Sequence, residues 1–353
     1  MTDLILPNTN PFIVTYPDYT NLFFAFGDHP EIRDWLISRA IGLLGIWTPE
    51  TYGILINFYD SANPWYCTPA DACPYITTQH IDESILFDMN KEFISFLISQ
   101  IERENYIYLY VDHFELSCFG DYKKSHYNHG LLIYGFDLNK ELLLVAGFIN
   151  GRGYERRAIP FQEFASSFFN KTREADKQVS LFRYNSNSEM ANGTSYCSFL
   201  HSYNTSKAYL SNELSYYLVE SRYTTYPNVY MGIEVYDLYK HYCMYLSETS
   251  QRYIYKQPLQ VMYEHKKILN HVINQLFDDT FIPSAIQEDI DSIIHGVLLC
   301  RNCMLKYCIA NKPERFKLVT PLLDEMKRKE YSLFDKLTEC GLIKSFNNNR
   351  PHF

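Results

Sequence analysis

The chain has 353 residues, 46% of them hydrophobic and 21% charged. That composition excludes disorder and exceeds one small core, so two domains or one large domain are expected. A net charge of −9, with the densest basic run (Lys327-Arg328-Lys329) flanked by Glu325 and Glu330, excludes a nucleic-acid partner.

No apolar stretch reaches the roughly 18–20 residues of a membrane span, and Met1-Thr2-Asp3-Leu4-Ile5-Leu6-Pro7 lacks the basic and apolar parts of a signal peptide. Nine cysteines, an odd number without framework spacing, read as reduced thiols. A cytoplasmic protein with no membrane partner is expected. The aromatic share of 16% suits stiff cores and pockets for flat or apolar ligands, although AT-rich codons produce the same bias.

In chain order, Phe12-Ile13-Val14 is a short apolar run and Tyr16-Pro17-Asp18 a turn, followed by the apolar stretch from Asn21 to Phe26. From Pro30 to Gly45, Ile32, Trp35, Leu36, Ala40, Leu43 and Leu44 recur at helical spacing. A loop rich in Pro, Asp and Cys covers 59–75, and 89–101 is an amphipathic helix. The period then changes to that of strands at 106–111, 129–137 and 141–148, with Leu138-Asn139-Lys140 as the turn of a hairpin. A helix starts in Ile159–Phe164. The Asn/Ser-rich stretch 184–206 marks a boundary, and amphipathic helices follow at 206–219, 232–247, 259–277, 286–310 and 318–337. The fold class is therefore α+β in the first half and all-helical in the second. The expected division is a first domain over 1–185, a linker over 186–205, a helical domain over 206–345 and a tail over 346–353.

The chemically suggestive segment is His129-Gly130-Leu131-Leu132-Ile133-Tyr134-Gly135-Phe136-Asp137, followed by Leu142-Leu143-Leu144-Val145-Ala146-Gly147-Phe148. A histidine opening a buried strand holds its ring in one orientation, as a general base requires, and the neighbouring strand can supply an orienting group. This hairpin resembles papain-like cysteine enzymes of the bacteriocin-processing peptidase type, and within them the family of butirosin biosynthesis protein H. The resemblance takes in Tyr110-Val111-Asp112, Phe161-Gln162-Glu163-Phe164, Met231-Gly232-Ile233-Glu234-Val235-Tyr236 and Glu264-His265-Lys266-Lys267-Ile268-Leu269. It implies a papain-like domain, a helix packed on a small antiparallel sheet, used for acyl transfer or amide chemistry in natural-product biosynthesis. It also implies a cysteine opening the first long helix, a histidine leading a strand and an Asp or Asn on the next strand.

Only His129 matches that pattern. The cysteine position falls at Leu22, Phe23 or Phe24, and Gly147 stands where an Asp is expected. Leu or Phe has no lone pair with which to attack a carbonyl. The expected function is thus a binding or accessory protein for an acyl or peptidyl substrate or a carrier domain. The alternatives are an acyltransferase that uses His129 as a general base without a covalent intermediate, and a purely structural platform. No cofactor and no metal are expected.

Asp112, His126, Asp137, Phe23 and Phe24 are the candidate binding residues around His129. His126, three residues earlier, would point to the opposite face of an extended segment, and His129 is the one favoured. Cys300, Cys303 and Cys308 read as thiols within a helix rather than zinc ligands, and Cys67 and Cys73 as loop thiols. The run from Glu264 to Lys267 reads as a solvated helix face or, less often, a contact surface. Gly151-Arg152-Gly153 is too short for a phosphate loop.

Overall fold

The computed structural model describes residues 2–50, 53–59, 68–149, 153–171, 178–186, 206–219, 226, 228–249, 255–277 and 281–344. The chain divides into two compact units: residues 1–33 with 67–202, and residues 34–66 with 203–353. The later change of unit, after residue 202, falls inside the expected linker 186–205, whereas 34–66, placed in the expected first domain, groups with the C-terminal half. Most of the expected linker and all of the expected tail, 346–353, lie outside the described residues.

The first unit is built on a seven-stranded sheet. Its strands are β1 (Asp3–Ile5), β4 (Ile76–Asp82), β5 (Tyr106–Asp112), β6 (Asn128–Asp137), β7 (Leu142–Phe148), β8 (Tyr154–Pro160) and β9 (Gln178–Tyr184). The order is β4-β9-β5-β6-β7-β8, with β1 beside the far half of β6, and every pairing is antiparallel. The expected hairpin is β6–β7. β1, β4, β8 and β9 are additions to the three strands expected.

Helix α1 (Pro17–Phe26) starts with proline at its first turn, where the missing N–H costs nothing. It packs on one face of this sheet: Phe26 meets Tyr106 at 5.1 Å, Phe24 meets Tyr154 at 5.5 Å, and the Arg156 guanidinium lies 5.0 Å from the Phe24 ring. Helices α5 (Phe93–Glu102) and α6 (Phe161–Phe169) pack on β5, β6 and β7. They bury the opposite face, where Ile107, Leu109, Val111, Leu131 and Ile133 are sealed from water. Stacked Phe87, Phe93 and Phe168 rings fill that layer.

The second unit holds a three-stranded sheet in the order β10-β2-β3, from β2 (Gly42–Thr48), β3 (Gly53–Tyr59) and β10 (Val229–Met231). The helical spacing from Pro30 is interrupted: α2 (Pro30–Ser38) ends and the chain turns into β2, where Gly42 and Gly45 admit close neighbours. A Cβ at Gly45 would sit 2.5 Å from Leu238 Cδ2. The remaining helices are α7 (Lys207–Val219), α8 (Val235–Glu248), α9 (Gln257–Leu276), α10 (Ser284–Ile309) and α11 (Thr320–Glu339). The C-terminal region is helical as expected, apart from β10.

Candidate functional site

β6 and β5 pair with Val111 opposite His129 and Asp112 opposite Asn128. Residues opposite each other share a face, and faces alternate along a strand. His129 therefore shares the face of Val111, Leu109 and Ile107. Tyr106 and Tyr108 lie on the other face, the one that carries α1. The ring of His129 points away from the helix on which the resemblance places a nucleophile.

On its own face His129 is half-buried. Its Nδ1 lies 3.2 Å from the Gly130 carbonyl, and its ring is 5.6 Å from His113 and 5.8 Å from Tyr127. Burial pulls the imidazole below the usual histidine range, only partly opposed by that carbonyl, so it is neutral at pH 7. His113, which sequence reading passed over, is buried, stacked 3.6 Å from Phe119, and leaves its Nε2 without a partner. Burial and the nearby His129 push it down to about 4. Cys118 belongs to the same unit, but burial, with Glu163 adding to it, raises its thiol to about 11, so it is not a thiolate nucleophile at neutral pH.

Asp112 is fully buried and accepts hydrogen bonds from Phe114 N (3.0 Å), Tyr127 N (3.0 Å) and the His126 ring at 2.6 Å. Burial raises its pKa, but the His126 and backbone hydrogen bonds outweigh it and hold the carboxyl below its usual range. His126 is exposed and stacks 4.2 Å from Phe114. These two residues fix the loop that leads into β6.

The other three candidates lie elsewhere. Asp137 ends β6, about 26 Å of strand from His129, and binds Lys140 N and Nζ across the turn. Phe23 and Phe24 are core residues of α1, buried because they face the sheet and Phe12. Each of the three is held by partners within the fold of the first unit, away from the His129 ring. A Cβ at Gly147, in turn, would lie 2.5 Å from Leu131 Cδ2, so a side chain there requires the Leu131 side chain to move.

The segment from Glu264 to Lys267 requires a larger correction. Glu264, His265 and Lys266 are buried, not solvated. Lys266 Nζ donates to Glu330 Oε1 and the Tyr217 hydroxyl, each at 2.9 Å, and the Tyr217 and Tyr236 hydroxyls both donate to Glu330 at 2.7 Å. The His265 Nε2 lies 2.7 Å from the Ile41 carbonyl. This is a polar cluster inside the second unit. Cys300 is buried on α10 with its thiol pushed up to about 12, mainly by burial. No group of three or more His, Cys, Asp or Glu suited to a metal occurs among the described residues, and Cys67 lies outside them.

Two recesses lie in the first unit. One, of about 390 Å³, is walled by Ile5, Leu6 and Phe26, with Glu102, Glu104 and Arg183 among its polar lining. The other, of about 80 Å³, lies at the start of α1 and is lined by Asp18, Asn21, Ala70, Tyr108, Ser180 and Phe182. Neither includes His129. No protein-family model matches the chain, and the comparison with curated proteins finds no match.

Proposed function

We propose that the protein is a binding or accessory protein of a natural-product pathway, derived from a papain-like cysteine acyltransferase and serving an acyl or peptidyl substrate or its carrier domain. The observation that carries this reading is the 390 Å³ recess, whose size and mixed lining suit a small organic ligand. Its apolar wall accommodates an aliphatic side chain, its two carboxylates an amine, and Arg183 a carboxylate or other anion, a combination favouring an aminoacyl or peptidyl group. The papain-like ancestry is supported by a helix ahead of an antiparallel sheet and a histidine leading β6. The loss of cysteine chemistry is supported by the apolar residues in α1 and by the face that His129 occupies.

The test is calorimetric titration with leucyl-N-acetylcysteamine thioester and with a leucine dipeptide. Saturable binding is expected, weakened at least tenfold by Ile5→Glu, a change at a side chain already 58% exposed. Absence of binding to both compounds rejects the reading. A second reading rests on the neutral, half-buried His129: it acts as a general base on an incoming amine, worth ~10²–10⁴-fold. Amide formation from the same thioester and an amine, lost in His129→Ala, supports it, and equal rates in both proteins dismiss it.

A further inference from the structure

The smaller recess carries a constellation that the His129 hairpin does not. It lies on the sheet face that carries α1, because Ser180 pairs with Tyr108 across β9 and β5 and so shares its face. Ser180 also pairs with His80 across β9 and β4. The Ser180 hydroxyl lies 3.1 Å from His80 Nδ1, and His80 Nε2 lies 2.8 Å from Asp71 Oδ1. Asp71 is held from α3 (Pro69–Ala72), where the Thr68 hydroxyl donates to its other oxygen at 2.8 Å. A hydroxyl, an imidazole and a carboxylate are thus connected in series, and the hydroxyl lines the cavity.

Two further features of the recess suit acyl chemistry. Asn21 is 4% exposed, and its Oδ1 accepts from the Tyr154 hydroxyl at 2.7 Å, which leaves its amide N–H2 as a donor for the cavity. The rest of the lining joins the apolar surface of Pro17, Ala70 and Phe182 with the polar groups of Asp18, Thr68 and Tyr108, around about 80 Å³. That space fits an acyl group of a few carbons and excludes a long chain.

We propose that Ser180 is the nucleophile, His80 the general base and Asp71 the positioning residue of a hydrolytic site for short-chain acyl esters or thioesters, with Asn21 as the oxyanion donor. Ser180 Oγ bonds to the acyl carbon while its proton passes to His80 Nδ1. The bond from that carbon to the leaving alcohol or thiol breaks, and the leaving atom takes the proton from His80. Water then attacks the Ser180 ester, its proton again passing to His80 and on to Ser180 Oγ, which releases the carboxylic acid. The charged group facing His80 is Asp71 from α3, which also acts on the buried Asp18 of α1, and β9 contributes the neutral Ser180. The Asp71 hydrogen bond, opposed in part by burial, raises the imidazole above its usual range, so the free base and the rate grow with pH along a limb above that range.

The site is separate from His129 and from the larger recess, so it stands or falls independently of the binding reading. The experiment is hydrolysis of p-nitrophenyl acetate and butyrate by the full chain, together with labelling by a fluorophosphonate and peptide mapping. The expected result is label on Ser180, turnover lowered at least ~10³-fold in Ser180→Ala, and turnover lowered ~10²–10⁴-fold in His80→Gln. In Asp71→Asn the acid limb of the pH profile moves to lower pH, a readout that a purely structural role leaves in place. Circular dichroism establishes that each variant is folded. Absence of ester turnover, turnover unchanged in folded Ser180→Ala, or label confined to other residues would each overturn the proposal.

Discussion

Two buried groups beside the β6 strand set measurable properties of the first unit. Asp112→Ala deprives two backbone donors of their acceptor and costs about 2 kcal/mol, whereas His126→Ala, at an exposed ring, costs under about 1 kcal/mol. Urea unfolding of the two variants gives the order; equal losses would show that the exposed imidazole holds the loop. His113 acts through pH. The unfolded chain protonates this residue below about pH 6.5, while the native protein resists until about pH 4. The unfolded state therefore binds more protons across that window, and stability falls as the pH drops through it, by about 3 kcal/mol in all. His113→Phe keeps the stacking on Phe119, removes the unpartnered nitrogen and flattens the slope, which thermal melts between pH 4 and 7 measure. A slope as steep as in the wild type would assign the effect to His129, which titrates in the same direction. That His129 opens a strand was legible in the sequence. The direction of its ring was not, because that depends on which face α1 covers.

Among the elements, α9 and α11 are joined by the Lys266–Glu330 pair, whose side chains are at most 1% exposed. Two charges in such a site are tolerable only because each is hydrogen-bonded in full. Lys266→Met leaves Glu330 buried without its cation and costs about 3–5 kcal/mol, while the double variant Lys266→Met with Glu330→Gln recovers much of that loss. Thermal denaturation of the single and double variants checks this; additive losses would mean that the pair is not coupled. Local pattern hid the cluster, since four consecutive polar residues look solvated and the compensating carboxylate lies 64 positions away. The strands that went unread have a related cause. β4 and β8 are the outer strands in the order β4-β9-β5-β6-β7-β8, and Thr77, Thr78, Gln79 and His80 on one, with Glu155, Arg156 and Arg157 on the other, give them little apolar alternation. Outer strands carry such residues because they resist pairing with other chains. The inner strands β5, β6 and β7, buried on both faces, were legible as near-continuous apolar runs.

On the scale of the whole molecule, residues 34–66 belong to the second unit although 67–202 belong to the first. A chain ending at residue 186 would therefore carry β2 and β3 without β10, α8 and α9, which they contact in the full protein. We expect that fragment to aggregate, and replacement of 34–66 by a short Gly-Ser linker to restore a soluble product with sheet-type circular dichroism. A soluble, cooperatively melting fragment 1–186 would contradict the division. This interleaving was invisible to composition and periodicity, which describe neighbours along the chain only. It also sets a schedule for biosynthesis. β2, with the sequence Gly-Leu-Leu-Gly-Ile-Trp-Thr, leaves the ribosome about 180 residues ahead of β10, the strand that pairs with its second edge. At ~5–20 residues per second, that delay is roughly ten to thirty seconds. Throughout it, one edge of an apolar, uncharged, β-prone heptapeptide waits unpaired, so nascent-chain chaperones have their clearest client here in the first sixty residues.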